Sequence, residues 1–180
     1  MHSKTIGSYS GNFTQCRSGS PKESGMIAYL CLGSNLNNPE TQVQRALQKL
    51  AEDTNIHILK SSPLIQTKPV GNLNQPDFCN QVIELETSYS SNELLQKALI
   101  LENQMGRVRY EHWGPRIIDI DILLYGDEVK HTKDLILPHP EITNRKFVLE
   151  LMCSIAPDLI HPVLDKSIAN LLKDIEKKED

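Results

Sequence analysis

The sequence predicts an α+β protein built on a ferredoxin-like βαββαβ plait: an antiparallel sheet with two helices on one face, extended by a C-terminal hairpin and helices. Three observations predict it. Between residues 26 and 125, strand-like apolar runs and helical stripes follow one another as strand, helix, strand, strand, helix, strand. A helix-start signature precedes the second stripe, and Gly, Pro and Asn punctuate the joins.

In order, residues 26–32 form a short apolar strand, followed by a turn at Gly33, Ser34 and Asn35. Asn38 and Pro39 read as N-cap and first-turn proline of a helix. Its buried stripe is Val43, Ala46, Leu47 and Leu50, at i, i+3, i+4 and i+7. Residues 56–67 read as a long strand bent or broken at Pro63, and a polar loop over 68–77 holds Pro69, Gly71 and Pro76. Residues 78–86 alternate as a strand. Ser90 and Glu93 make a capping box for a helix through Leu94, Ala98, Leu101 and Met105. A loop with three arginines and the single tryptophan leads to a strand over 117–125. After Gly126 and Asp127 come a short strand pair, a turn at Pro138, His139 and Pro140, and a helix over 145–155 stopped by Pro157. A last helix over 167–177 carries Ile168, Leu171, Leu172 and Ile175.

Residues 1–25 are rich in Ser and Gly, with no apolar period and no continuous apolar centre of a secretory signal. They are expected to be a flexible extension, with 26–180 a single domain. At 180 residues and 39% apolar, the chain can bury a sizeable core. A net charge of −4 gives no bulk support for binding nucleic acid or an anionic membrane, and no apolar stretch approaches a membrane span. None of Cys16, Cys31, Cys79 and Cys153 belongs to a C-x-x-C pair. Cys31 and Cys79 lie in apolar runs and read as buried thiols, which suits a reducing compartment.

The chemistry concentrates in GRVRYEHWGPRIIDIDIL, residues 106–123. Asp119 and Asp121 stand two apart in a strand and so share a face. Such a pair also suits a solvated strand face. Aspartate is a poor strand former, however, and two like charges on one face repel, whereas a divalent cation between them turns repulsion into coordination. Arg107, Arg109 and Arg116 lie in a loop bounded by Gly106, Gly114 and Pro115, and arginine forks suit phosphate oxygens. Trp113 is either packed down or a cover over a ligand. Phe78 and Asn80 share a strand face, where an aromatic ring beside a carboxamide stacks a flat heterocycle and reads its edge. Glu102 falls on an otherwise apolar helical stripe, at the rim or hydrogen-bonded inward. His139, Arg145 and Phe147 follow Leu137 and Pro138. No Walker loop, dinucleotide fingerprint or protein-kinase motif is present.

Taken together, these segments resemble the 6-hydroxymethyl-7,8-dihydropterin pyrophosphokinases of folate biosynthesis. The resemblance covers about residues 26–162 and is carried by GSNL (33–36), TKPVG (67–71), QPDFCN (75–80), GRVR (106–109), WGPR (113–116), DIDI (119–122), PHP (138–140) and RKF (145–147). It implies transfer of the β- and γ-phosphates of ATP to the 6-hydroxymethyl oxygen of 7,8-dihydropterin, releasing AMP. It also implies that Asp119 and Asp121 hold two Mg²⁺ ions and, with Arg107 and Arg116, carry the catalysis. Glu102, Arg107, Trp113, Arg116, His139 and Arg145 would face ATP. Thr67, Pro69, Val70, Phe78, Asn80 and Phe147 would bind the pterin. A cytoplasmic monomer, in association with neighbouring folate-pathway enzymes, completes the expectation. The chain departs from the family pattern at His112, where arginine is frequent, and in the short stretch between Arg109 and Trp113. The rival reading is a non-catalytic βαββαβ module that binds a ligand or RNA. For RNA it would need aromatic residues exposed on the central strands and a basic face.

Overall fold

A computed structural model describes residues 25–69, 74–107 and 114–179. The elements are β1 (Met26–Ser34), α1 (Pro39–Ala51), β2 (Ile56–Ser61), β3 (Ile65–Thr67), β4 (Phe78–Thr87), α2 (Ser91–Gln104) and β5 (Asp119–Tyr125). They continue with β6 (Lys130–His131), β7 (Ile136–Leu137), α3 (Lys146–Ile155), β8 (Ile160–His161), β9 (Lys166–Ser167) and α4 (Ile168–Glu179). The main sheet runs β2-β4-β1-β5, all antiparallel, with β3 also paired to β4. The strand expected over 56–67 is thus broken into β2 and β3, as Pro63 requires, since proline has no N–H for a ladder.

The alternation of side chains along β1 divides the core in two. Ala28, Leu30 and Leu32 pack with Val43, Ala46 and Leu50 of α1 and with Leu94, Ala98 and Leu101 of α2. Tyr29 and Cys31 point the other way and pack with Val148, Leu149 and Met152 of α3 and Ile168 and Leu171 of α4. The result is three layers, with α1 and α2 on one face of the sheet and α3 and α4 on the other. Each buried aliphatic side chain contributes roughly 2 kcal/mol. A register shift opposite Tyr29 and Leu30 leaves Leu123 unpaired on β5, so Leu123 and Leu124 both join the α3/α4 side.

Two local expectations are corrected. Gly33 and Ser34 do not turn: β1 runs on through Ser34 because Asn80 and Cys79 of β4 remain opposite them. Asn38 occupies the cap of α1 but makes no side-chain cap bond, since its backbone sits at φ 61 in the left-handed region that asparagine tolerates. The Ser90–Glu93 capping box forms as expected, with Glu93 Oε2 accepting the Ser90 N–H at 2.8 Å. The β8–β9 hairpin is not legible in the sequence, because two-residue strands leave no periodic trace.

Candidate active site

At the Ser34 end of β1, strand pairing assembles one rung from distant sequence. Ile65 of β3 faces Asn80 of β4, Asn80 faces Gly33 of β1, and Gly33 faces Asp119 of β5. Asp121 faces Cys31 one step further along the same face. Paired residues share a face, so a carboxamide and two carboxylates stand two strands apart, about 10 Å, on the α3/α4 side of the sheet.

The β5 side is charged. Asp119 accepts Arg107 Nη1 at 2.6 Å through Oδ1 and Arg116 Nη1 at 2.5 Å through Oδ2. Arg107 Nη1 also pairs with Glu102. Glu102 lies on α2, is 2% exposed, and accepts the Ile120 N–H at 2.8 Å. The apolar stripe of α2 thus admits one carboxylate because a β5 amide and a guanidinium satisfy it. Burial opposes the charge on Arg107, but Asp119 and Glu102 outweigh it and hold the guanidinium above its ordinary range. Burial and the charge of Asp119 push the Asp121 carboxyl up to about 7, with Glu102 adding and Arg145 and Arg116 pulling back. The Cys31 thiol is raised for the same reasons, burial first, and stays protonated. Burial, helped by Arg145, keeps the His139 imidazole below its usual value, against the pull of Glu141 and Asp119. His139 Nδ1 accepts the Glu141 N–H at 3.2 Å, so in the neutral ring Nε2 carries the proton and is the donor.

The β4 side is neutral. Asn80 is 6% exposed and its Nδ2 donates to Thr67 Oγ1 at 2.7 Å. Phe78, paired with Thr67, lies on the same face as Asn80, and Pro69 is buried beyond it. Phe147, in the first turn of α3, packs on the core of that face. The Arg116 guanidinium stands 5.8 Å from the Phe78 ring centroid, so the two sides meet.

Thus the structure brings together Arg107, Arg116, Asp119, Asp121 and Glu102, and separately Thr67, Phe78 and Asn80. His139 and Arg145 lie within electrostatic range of the aspartates. Val70, Arg109, His112 and Trp113 fall outside the described residues, as does residue 16.

One further residue organises the site. Asn35, 2% exposed, donates through Nδ2 to Gln75 Oε1 at 3.0 Å and to the Pro76 carbonyl at 3.2 Å. Its Oδ1 accepts the Arg116 N–H at 2.8 Å, and its own N–H donates to the Arg116 carbonyl at 3.1 Å. It ties the segments leading to Phe78 and to Asp119. The only sequence signal was a polar residue among the block 33–36.

The donor set fits a divalent cation of the hard type. Its carboxylate oxygens share one face, and burial beside Asp119 makes the charge of Asp121 costly without a counter-ion. Mg²⁺ in nucleotide sites is held by one or two carboxylates plus phosphate oxygens. An α+β plait whose sheet end carries such a set defines the class: an enzyme of phosphoryl-group transfer.

Residues 29–157 match the family model of 7,8-dihydro-6-hydroxymethylpterin-pyrophosphokinase (HPPK). The chain is 42% identical over 137 residues to the 2-amino-4-hydroxy-6-hydroxymethyldihydropteridine pyrophosphokinase of Haemophilus influenzae, covering 76% of this chain and 86% of that one. It is 39% identical over 147 residues to the folic acid synthesis protein fol1 of Pneumocystis carinii, covering 82% of this chain but 20% of that protein. Among solved structures, wild-type HPPK-DHPS of Plasmodium falciparum with pteroate superposes with a TM-score of 0.66 at 17% identity, over 88% of this chain and 44% of that one, which shows the shared fold. The chain belongs to the HPPK family, whose members pass pyrophosphate from ATP to hydroxymethyldihydropterin in folate synthesis.

Proposed function

We propose that the two sides of the Gly33 rung divide this reaction between them, with ATP over the β5 side and the 6-hydroxymethyl-7,8-dihydropterin over the β4 side. The observation that carries the reading is the rung itself, which holds Asn80 and Asp119 on one face two strands apart. On this reading Phe78 and Phe147 stack the pterin ring, while Asn80 and the backbone near Thr67, Pro69 and Val70 read its edge. Arg107, Arg116, Arg145 and His139 take phosphate and nucleotide oxygens, the guanidiniums as forks and His139 through Nε2–H. Glu102 serves the nucleotide side through Arg107, and Trp113 is assigned to the nucleotide as well. Asp119 and Asp121 would hold two Mg²⁺ ions, which when bound offset phosphate charge and polarise the transferred group. The 6-hydroxymethyl oxygen forms the new bond to the β-phosphorus and gives up its proton to solvent, and the bond from that phosphorus to the AMP oxygen breaks. Orientation by the β4 side and charge stabilisation by the β5 side are the protein's contributions.

A non-catalytic RNA module is not favoured: the central strands β1 and β5 present Cys31, Gly33, Asp119 and Asp121 where such a module would expose aromatic residues. Among the described residues, no helix is long and apolar enough to cross a membrane. We take residues 26–180 as the catalytic unit, with residues 1–25 outside it, acting as a monomer in the cytoplasm. The free Cys31, Cys79 and Cys153 support a reducing compartment. The structurally similar HPPK-DHPS proteins support association with a neighbouring enzyme of the same pathway.

The test is ATP labelled at the β-phosphate, incubated with Mg²⁺ and the dihydropterin. Label on the pterin with unlabelled AMP supports the reading. Label retained in ADP contradicts it.

A further inference from the structure

Gly33 has no positive φ, so its backbone does not require glycine. The space above it does. A Cβ at Gly33 would lie 2.7 Å from Asn80 Oδ1, 3.9 Å from Asn80 Cγ and 4.0 Å from Phe78 Cδ1. Real Cβ atoms do not approach that closely, so Asn80 would have to move. It is poorly placed to do so, being buried and held by Thr67 at 2.7 Å. On the opposite side Gly33 pairs with Asp119, so the bare backbone lies between the two sides of the site.

We propose that Gly33 is a positioning residue for heterocycle recognition: its missing side chain lets the Asn80 carboxamide lie across β1, and Thr67 fixes which end of the amide points there. Thr67 uses one N–H of Asn80. The second N–H and the Oδ1 lone pairs remain as a neighbouring donor and acceptor, the complement of a heterocycle edge that offers an acceptor beside a donor. A methyl group at position 33 tilts this edge and breaks the match without touching any charged group. The inference rests on the placement of the pterin over the β4 side.

The test measures dissociation constants for the dihydropterin and, separately, for a non-hydrolysable ATP analogue with Mg²⁺, in the wild type, Gly33→Ala, Asn80→Ala and the double variant. Gly33→Ala is expected to weaken pterin binding about tenfold or more and to leave nucleotide binding within about twofold. In the Asn80→Ala background, the same Gly33→Ala change should cost less than about twofold, because the atom it displaces is gone. A merely structural role would weaken both ligands alike and persist without Asn80. That outcome, or unchanged pterin affinity in Gly33→Ala, overturns the inference. If Gly33→Ala does not fold, the double variant decides: it folds if Asn80 is the obstacle, and its failure to fold overturns the inference. A wild type that binds neither ligand, or binds pterin with no dependence on Asn80, instead overturns the pterin placement itself.

Discussion

The two sides of the Gly33 rung are built by opposite means. Toward β5, charged side chains compensate one another: Asp119 sits between Arg107 and Arg116, and Arg107 is shared with Glu102. Toward β4 there is no charge in the rung, and position is set by one short hydrogen bond from Asn80 to Thr67 and by the room over Gly33. Each side is therefore vulnerable in its own way. The charged side depends on balance, so removing one member leaves its partners uncompensated. The neutral side depends on shape, so a methyl group suffices to disturb it.

The largest effect separates the sides by chemistry. Asp119→Ala and Asp121→Ala are each expected to lower kcat/KM by about 10²- to 10³-fold while pterin affinity stays within about twofold. Steady-state kinetics with a separate pterin titration checks this, and full activity in both variants would break the comparison. Next, Asn80→Ala should weaken pterin binding by about 10- to 100-fold and leave the nucleotide analogue unaffected. Equal losses for both ligands would mean that the sides are not separate.

A smaller effect concerns the metal-free protein and its pH dependence. The folded Asp121 carboxyl, near 7, lies above its ordinary value of 3.8. Below about pH 4 both folded and unfolded forms are protonated, and the group costs nothing. As pH rises from about 4 to 7 the unfolded chain ionises first, so stability falls, and above 7 the loss is constant. Asp121→Asn should therefore raise Tm by roughly 10 °C at pH 8 in chelator and change it little at pH 4. Thermal melts at the two pH values check the sign. A Tm gain at pH 4 equal to that at pH 8 would remove the electrostatic account of this side. The smallest effect is a change remote from both sides. Ser90→Ala breaks the α2 capping box and should cost about 1 kcal/mol, a Tm loss of about 3 °C, with both ligand affinities unchanged.

Much of this was legible in the sequence, for physical reasons that also mark the limit. The stripe Val43, Ala46 and Leu50 and the capping box at Ser90 are local patterns, and local patterns fix helices. Asp119 and Asp121 announced a shared face through their spacing alone. Glu102 stood out as a carboxylate on an apolar stripe, but its partners, the Ile120 amide and Arg107, became visible only with β5 in place. Asn35 gives no local signal because its partners lie 40, 41 and 81 residues away. In the sequence Gly33 reads as a turn because glycine usually signals one. Its function as empty space depends on Asn80 of β4, which no local pattern contains.

A reaction divided between the nucleotide side and the pterin side couples the fate of ATP to the presence of pterin. The most direct measurement is AMP formation from ATP and Mg²⁺ with and without 6-hydroxymethyl-7,8-dihydropterin. With that coupling, AMP forms in equal amount to pterin consumed, and none above background when pterin is left out. Pterin-independent release of AMP, or formation of ADP in its place, would contradict it.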